Sequence, residues 1–321
     1  MVVLKGKHRQ GRRCHTSLDE TAPPNFNKAG LICTFCDIRD VRRTCMLQAL
    51  RISKTVCAVF RSDLVRETRL GKPQTGDPWI AFMTPRPAAR FRLFCFPYAG
   101  GGAKIFREWG ALFPPSIEVC PIELPGRGGR FRESPFKRME PLVDALVHGL
   151  SDYLDKPFAF FGHSMGAALG FELSQALYDR RGLEAAHLFV SGRTAPQRQN
   201  NDSLIYDQPD AEFITAVVAL EGTPQEVLES KELLELVLPI LRADFELIGT
   251  YNYVPRRKLA CPITALGGIC DKGTSPEDIK AWNENTSGAF SMHMLPGNHF
   301  FLHSQARAIV RTIAANLING A

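Results

Sequence analysis

From about residue 90 onward, short apolar runs alternate with amphipathic segments along the chain. The apolar runs are typical of buried β-strands and lie at 92–96, 117–122, 158–161, 187–190, 263–269 and 290–295. Apolar residues at helical spacing occur between or after them, near 103–112, 139–154, 165–180, 276–286 and 300–318. Strands that alternate with helices in this way predict an α/β fold, in which helices cover both faces of a mostly parallel sheet.

One interval breaks this alternation. Residues 200–258 contain no strand pattern, whereas 211–221 and 225–248 have the apolar spacing of helices. We interpret the interval as a helical insertion between two strands, in the position of a lid. The pattern therefore predicts a folded domain at 83–321 with a lid at about 200–258.

The composition of the 321-residue chain, with 45% hydrophobic and 22% charged residues, is that of a soluble globular protein. It excludes a disordered chain, a collagen-like fibre and a small disulfide-stapled domain. No apolar run reaches the roughly 18 residues of a membrane-spanning helix. The basic first residues lead into no apolar stretch, so a secretory signal is not expected either.

The nine cysteines cannot all pair within one chain. Together with the missing secretory signal, the odd number predicts free thiols in a cytoplasmic protein. Cys33 and Cys36 form a C-x2-C pair, but Cys45 and Cys57 are too widely spaced to complete a zinc ribbon. No metal site is expected.

Residues 1–82 differ from the rest of the chain in charge and in pattern. They hold 15 Lys and Arg against 7 Asp and Glu, whereas the remaining residues hold 24 against 26. A near-neutral body argues against nucleic-acid binding by the folded domain. Because apolar residues in this segment do not recur at the spacing of a helix or a strand, we expect a basic, disordered leader. The alternatives are a transit peptide and a natural start at Met83.

The strongest chemical motif is Gly162-His163-Ser164-Met165-Gly166, directly after an apolar strand and directly before a helix. This G-x-S-x-G context is that of the nucleophile elbow of the α/β-hydrolase fold. The turn exposes the Ser164 hydroxyl, and the Met165 N–H at the helix N-terminus is placed to stabilise an oxyanion. An ordinary Gly/Ser turn is the alternative. The context favours Ser164 as a nucleophile.

In that fold an acid and a histidine follow the serine in chain order. Asp271 ends the apolar run 263–269 and is the candidate acid, although it is also placed to cap a helix that begins near Pro276. His299 follows the run 290–295 and a turn, and it is the candidate base.

Three other histidines compete with this assignment. We expect the side chain of His163 to point away from the neighbouring serine, His293 to be packed inside a strand, and His303 to lie on a helix surface.

The loop after the first strand, residues 96–102, contains three consecutive glycines. Glycines let backbone amides approach a ligand closely, and the Ala99 N–H is the natural second donor of an oxyanion hole. A phosphate-binding loop is the alternative, but the run has neither G-x-G-x-x-G nor a G-K-[ST] ending. No nucleotide cofactor is therefore expected.

Taken together, these stretches resemble the type II thioesterases that accompany nonribosomal peptide and polyketide synthetases. The resemblance spans nearly all of 90–321 and rests on FPYAGGGAKIFREW, ELPGRGGRFRE, FFGHSMGAALGFEL, LPILRADFELIGTY, GGICDKGTSPEDIKAW and LPGNHFFL. It implies Ser164, Asp271 and His299 as the catalytic triad, with the Ala99 and Met165 amides as the oxyanion hole. Asn298 and Thr274 depart from the family pattern, and the leader has no counterpart in it.

The resemblance also implies an activity: hydrolysis of acyl thioesters from the phosphopantetheine arms of carrier proteins, which removes aberrant acyl groups. The carrier domains of a synthetase would be the partners of a cytoplasmic, monomeric enzyme without cofactors. A chain-terminating fatty acyl thioesterase and a generic carboxylesterase are the alternatives. A non-catalytic module that only docks carrier proteins is a further one, disfavoured by the complete triad.

Overall fold

A computed structural model describes residues 78–198, 205–220 and 230–319. Within them, six parallel strands form one sheet in the order β2-β1-β3-β4-β5-β6. The strands are β1 (Phe91–Phe96), β2 (Ile117–Pro121), β3 (Phe158–His163), β4 (His187–Ser191), β5 (Ile263–Gly268) and β6 (Phe290–Leu295). The six predicted strands and the α/β class are confirmed.

Except at 165–181, the helices are shorter or more divided than the sequence pattern predicts. They are α1 (Trp109–Leu112), α2 (Met139–Gly149), α3 (Met165–Arg181), α4 (Asp210–Ala219), α5 (Lys231–Gly249), α6 (Pro276–Lys280), α7 (Phe301–Ser304) and α8 (Ala306–Asn319). Three predicted helices are partly 3-10 turns: Ala103–Phe106 lies at the start of one, and Ser151–Tyr153 and Ala281–Asn285 lie at the ends of two others. Apolar spacing marks the buried face of a segment but does not distinguish a helix from a 3-10 turn.

The strands carry apolar side chains on both faces, as expected for a covered parallel sheet. In β1, Phe94 and Phe96 belong to the core under α2 and α3, whereas Leu93 and Cys95 belong to the core under α1 and α8. All four side chains are fully buried. The alternation places the ends of the central strands between two covered faces.

The strand β6 lies at one edge of the sheet and bonds only to β5 among the described residues. Its residues are half-buried, and His293 is exposed. The prediction that His293 is packed inside a strand is wrong, because an edge strand is covered less completely than a central one.

Two helices occupy the predicted insertion. The helix α4 begins one residue before the predicted segment, and α5 begins at Lys231, where Ser230 caps it by accepting a hydrogen bond from the Leu233 N–H. The C-terminal half of α5 packs on the main core through Leu247 and Ile248. Residues 199–204 and 221–229 of the insertion lie outside the described residues.

The described chain begins with a segment that is part of the main core. Trp79 is 9% exposed and Ile80 is fully buried, and Ile80 forms an antiparallel bridge to Ile122. The Trp79 ring packs on Gly149 and lies 4.1 Å below the Arg130 guanidinium. The segment before Met83 thus contributes two large side chains to the fold. The predicted disorder of the leader concerns mainly residues 1–77, which lie outside the described part.

None of the helices in the described ranges is long and apolar enough to cross a lipid bilayer. Within the same ranges, four cysteines are free, and no three His, Cys, Asp or Glu side chains come together as metal ligands. The cysteines are Cys95, Cys120, Cys261 and Cys270. The other five belong to residues that the structure does not describe.

Candidate active site

Ser164 lies in the tight turn that joins β3 to α3, with φ +53° and ψ −115°. Positive φ is costly for a residue with a Cβ, so the surrounding contacts must hold this turn in place. The Ser164 N–H donates to the Ser191 carbonyl at 2.7 Å, and the Ala167 N–H donates to the Ser164 carbonyl at 3.0 Å. The backbone of Ser164 is therefore fixed from both sides.

The two glycines of the motif are required by space. A Cβ on Gly162 would lie 2.0 Å from the Gly166 carbonyl oxygen, and a Cβ on Gly166 would lie 2.3 Å from the Phe96 carbonyl oxygen. The start of α3 therefore touches the end of β1. This contact brings the loop after β1 close to the Met165 N–H.

Asp271 and His299 are hydrogen-bonded to each other. The His299 Nδ1 lies 2.8 Å from Asp271 Oδ2, and the Asp271 side chain is 2% exposed. The second carboxylate oxygen accepts the Gly273 N–H at 2.9 Å. Since a carboxylate accepts, Nδ1 carries the proton, and the neutral imidazole keeps Nε2 as an acceptor. The pair has the geometry of a histidine base and its orienting acid.

The alternative role of Asp271 as a helix cap is wrong. The helix α6 is capped by Ser275, whose hydroxyl accepts the Asp278 N–H at 3.2 Å. The Asp278 carboxylate accepts the Ser275 N–H in return at 3.0 Å, which completes a capping box. The Asp271 carboxylate is thus left to bond to His299.

His163 bridges the serine turn to the His299 loop. Its Nε2 lies 2.9 Å from the His299 carbonyl oxygen, and its Nδ1 lies 2.9 Å from Ser191 Oγ. A carbonyl only accepts, so Nε2 donates and the Ser191 hydroxyl donates to Nδ1. Complete burial lowers the pKa of His163 well below its ordinary value, so the ring stays neutral. As expected, its side chain points away from Ser164.

His303 is half-buried and bonded, and the prediction that it lies on a helix surface is wrong. Its Nε2 lies 3.0 Å from the Tyr98 hydroxyl, and burial lowers its pKa to about 4. The Tyr98 ring also packs edge-on against His163 and Phe300. Sequence spacing did not reveal this bond because the partners are separated by 205 residues.

The predicted oxyanion donors stand at the ends of neighbouring strands. Met165 is the first residue of α3, after β3, and Ala99 lies in the loop after β1. Among the described residues, neither amide N–H donates to a protein acceptor. The loop turns back through a 2.9 Å bond from the Gly101 N–H to the Tyr98 carbonyl. Both amides lie at the carboxyl edge of the sheet.

Residues 91–317 match the family model described as a thioesterase domain. The chain belongs to the thioesterase family. One relative is GrsT, a gramicidin S biosynthesis protein of Aneurinibacillus migulanus. It is 41% identical to this chain over 241 residues, which cover 75% of this chain and 94% of GrsT. The medium-chain S-acyl fatty acid synthase thioesterase of Homo sapiens is 35% identical over 67% of this chain and 82% of its own.

Among solved structures, this thioesterase is similar to the type II thioesterase BorB from the borrelidin biosynthetic cluster. The TM-score is 0.68 at 36% sequence identity, and the match covers 74% of this chain and 97% of BorB. The α/β-hydrolase fold and thioester hydrolysis are therefore properties of this chain.

The thioesterase also contains a buried ion pair that the sequence reasoning missed. Arg127 and Asp244 form two contacts of 2.7 Å, and both side chains are almost completely buried. Burial alone would lower the pKa of the Arg127 guanidinium, but the Asp244 carboxylate outweighs it and raises that pKa above its ordinary value. In the sequence the two residues stand in the segments P-G-R-x-x-R (125–130) and L-R-A-D-F (241–245). These segments are parts of the stretches ELPGRGGRFRE and LPILRADFELIGTY, which carry the family resemblance but to which no role was assigned.

Proposed function

We propose that this thioesterase hydrolyses acyl thioesters on the phosphopantetheine arms of carrier proteins and so removes aberrant acyl groups during nonribosomal peptide or polyketide biosynthesis. The observation that carries the proposal is the bonded Asp271–His299 pair at the same edge of the sheet as the strained Ser164 turn. The likeness to GrsT, a gramicidin S biosynthesis protein, and to BorB, a type II thioesterase from the borrelidin biosynthetic cluster, supports the choice of substrate.

In the proposed reaction, Ser164 is the nucleophile. The His299 Nε2 takes the hydroxyl proton as Ser164 Oγ attacks the thioester carbon, and Asp271 holds the ring by accepting from Nδ1. The Asp271 carboxylate also stabilises the imidazolium that forms. The 2.8 Å bond between Nδ1 and Oδ2 supports this division of roles.

The tetrahedral intermediate carries its negative charge on the former carbonyl oxygen. We assign the Ala99 and Met165 N–H groups as the donors to this oxygen, since both lack a protein acceptor among the described residues. Two fixed amides stabilise the charge that develops in the transition state more than the neutral ground state.

The intermediate collapses by breaking the carbon–sulfur bond. The imidazolium of His299 returns its proton to the departing sulfur, which yields the free pantetheine thiol and an acyl ester on Ser164. Water then loses a proton to His299 and attacks the ester, and Ser164 recovers its proton as the acid product leaves. The proposal invokes no cofactor and no metal.

We assign the insertion at about 200–258 as a lid that shapes the acyl pocket and docks the carrier protein. The exposed apolar side chains of its helices, Val218, Leu220 and Leu236, support a contact role. We further propose that the enzyme is a monomer that works in the cytoplasm beside its synthetase. Residues 1–77 have no role in this proposal.

A second candidate function is termination of fatty-acid chains. It is favoured by the likeness to the human medium-chain thioesterase, which is weaker than the likeness to GrsT. The two functions differ in the length of the acyl group that the enzyme prefers. A generic carboxylesterase would use the same triad but would not require a carrier protein.

The decisive experiment loads a carrier protein with acetyl or with decanoyl phosphopantetheine and follows acyl loss by intact mass spectrometry. We expect the full chain to release acetyl faster, and Ser164→Ala to release neither. Ser151→Ala, whose hydroxyl bonds the His148 carbonyl at the end of α2, is the matched serine control and should behave as wild type. Preference for decanoyl would favour the second function. Full activity of Ser164→Ala would overturn the assignment of the nucleophile.

A further inference from the structure

The loop after β1 is held by the buried pair Arg127–Asp244, whose members come from outside the loop. Asp244 Oδ2 accepts the Gly100 N–H at 2.7 Å, and Arg127 Nη1 donates to the Gly101 carbonyl at 2.8 Å. Arg127 is 6% exposed and Asp244 is 2% exposed. Each member of the pair therefore fixes one of the two residues that follow Ala99.

Another long-range contact fixes the residue before Ala99. The Tyr98 hydroxyl is bonded to His303, and its ring packs against three aromatic side chains, those of His163, Phe300 and His303. The Ala99 N–H belongs to the peptide group between Tyr98 and Ala99. This peptide group is thus anchored on both sides, which leaves it little freedom to rotate.

Asp244 lies on the helix α5, so the buried pair also ties the loop to the helical insertion. A Cβ on Gly100 would lie 2.4 Å from the Leu241 side chain, one turn earlier on the same helix. Gly100 has φ +76°, a conformation that glycine adopts without strain. A displacement of this part of α5 would withdraw the acceptor from the Gly100 N–H and leave a buried guanidinium without its carboxylate.

We propose that the buried pair Arg127–Asp244 positions the oxyanion hole and makes its geometry depend on helix α5. Neither residue touches the substrate; both act through the backbone of Gly100 and Gly101 on the Ala99 N–H. The inference rests on the proposed function, because it takes Ala99 as an oxyanion donor. It gives the P-G-R-x-x-R and L-R-A-D-F segments a shared role.

The test compares the full chain with two variants on a small thioester, S-acetyl-N-acetylcysteamine, and on the acetyl carrier protein. Asp244→Asn removes the charge but leaves Arg127 buried without a counterion, which is itself destabilising. The double variant Arg127→Met with Asp244→Leu replaces the pair by apolar side chains that pack in similar volume. We expect kcat to fall on the order of 10- to 100-fold in both variants, with KM changed by less than about 2-fold.

Glu118→Gln is the matched control. Glu118 is also a buried carboxylate that accepts one backbone N–H, from Arg86 at 2.5 Å, and pairs with one arginine, Arg92, at 2.7 Å. It lies near the start of β2, whereas the site lies beyond the strand ends. We expect this variant to lose stability while the kcat of the folded enzyme stays unchanged.

A second readout is the affinity for methyl trifluoromethyl ketone. This compound forms a tetrahedral adduct with the serine and places the oxyanion of the adduct in the oxyanion hole. It should weaken by the same factor as kcat in the double variant. Unchanged kcat, a loss confined to KM, or an equal loss in Glu118→Gln would each overturn the inference. Failure of the proposed function looks different: the wild type would then hydrolyse the small thioester but release nothing from the carrier protein.

Discussion

The substitution Ile80→Ala tests whether the folded domain begins before Met83. Ile80 is fully buried and bridges to Ile122, and the neighbouring Trp79 carbonyl accepts the Glu123 N–H at 2.9 Å. Truncation of a buried isoleucine to alanine costs about 2–5 kcal/mol. The whole free energy of unfolding of a domain is typically about 5–15 kcal/mol. The substitution should therefore remove a large part of the stability.

The assay is thermal unfolding of the full chain, followed by far-UV circular dichroism. For a domain of this size each kcal/mol lowers Tm by about 2–4 °C, so a decrease of about 5–15 °C is expected. Val254→Ala is the control, because Val254 is 58% exposed and surface substitutions change stability by about 0.5 kcal/mol or less. A chain that begins at Met83 should unfold at least as early as Ile80→Ala, and one that begins at Pro78 should match the wild type. A Tm for Ile80→Ala equal to that of Val254→Ala would refute the packing argument. Met83 would then be a sufficient start for the folded domain.

Three further predictions concern the site and the pH dependence of stability. Asp271→Asn should lower kcat by about 10⁴-fold with little effect on Tm, because an amide in place of the carboxylate favours the wrong tautomer of the histidine. Gly166→Ala should destabilise the fold and abolish turnover, because its Cβ would lie 2.3 Å from the Phe96 carbonyl oxygen. Burial lowers the pKa of His187 to about 4, so the unfolded chain binds a proton below about pH 6.5 that the folded chain does not. The free energy of unfolding should therefore fall as pH decreases from 7 to 5. Urea unfolding should show a loss that is about 2 kcal/mol smaller in His187→Gln than in the wild type.

Each of these variants has a matched control. Glu277→Gln is an exposed acid near Asp271, and unchanged kcat is expected there. Gly110→Ala adds a Cβ that meets nothing within 4 Å, so it should keep full activity. His148→Gln changes an exposed histidine and should retain the wild-type pH dependence. Equal effects in a variant and its control would contradict the prediction concerned.

The strands could be predicted from the sequence because the burial of each strand leaves a pattern in its own residues. An apolar run such as 158–161 indicates a strand that is buried on both faces. The glycines two residues before and after Ser164 indicate a tight turn, because only glycine fits there without a clash. The chain order of Asp271 and His299 pointed to two residues that the structure brings within 2.8 Å of each other. The assignment of these residues and Ser164 as a triad stays a prediction until turnover is measured.

The ion pair and the position of His303 were missed because they depend on contacts between distant parts of the chain. The carboxylate of Asp244 meets an arginine 117 residues earlier, and Tyr98 meets His303 across 205 residues. No periodicity encodes such pairs, so His303 was expected on the surface. His293 was expected in the interior because an apolar run does not reveal whether its strand is central or at an edge. Trp79 and Ile80 form too short a segment to show any period.

The order of the strands has a consequence for how the chain folds during its synthesis on the ribosome. From β3 to β6 each new strand is added beside the previous one, and His299 follows the last of them. A nascent chain can therefore stack most of its sheet while it still lacks the proposed base. Under the proposed mechanism, hydrolysis requires the segment that carries His299 to have left the ribosomal tunnel, so a nascent chain that still lacks this segment cannot release acyl groups.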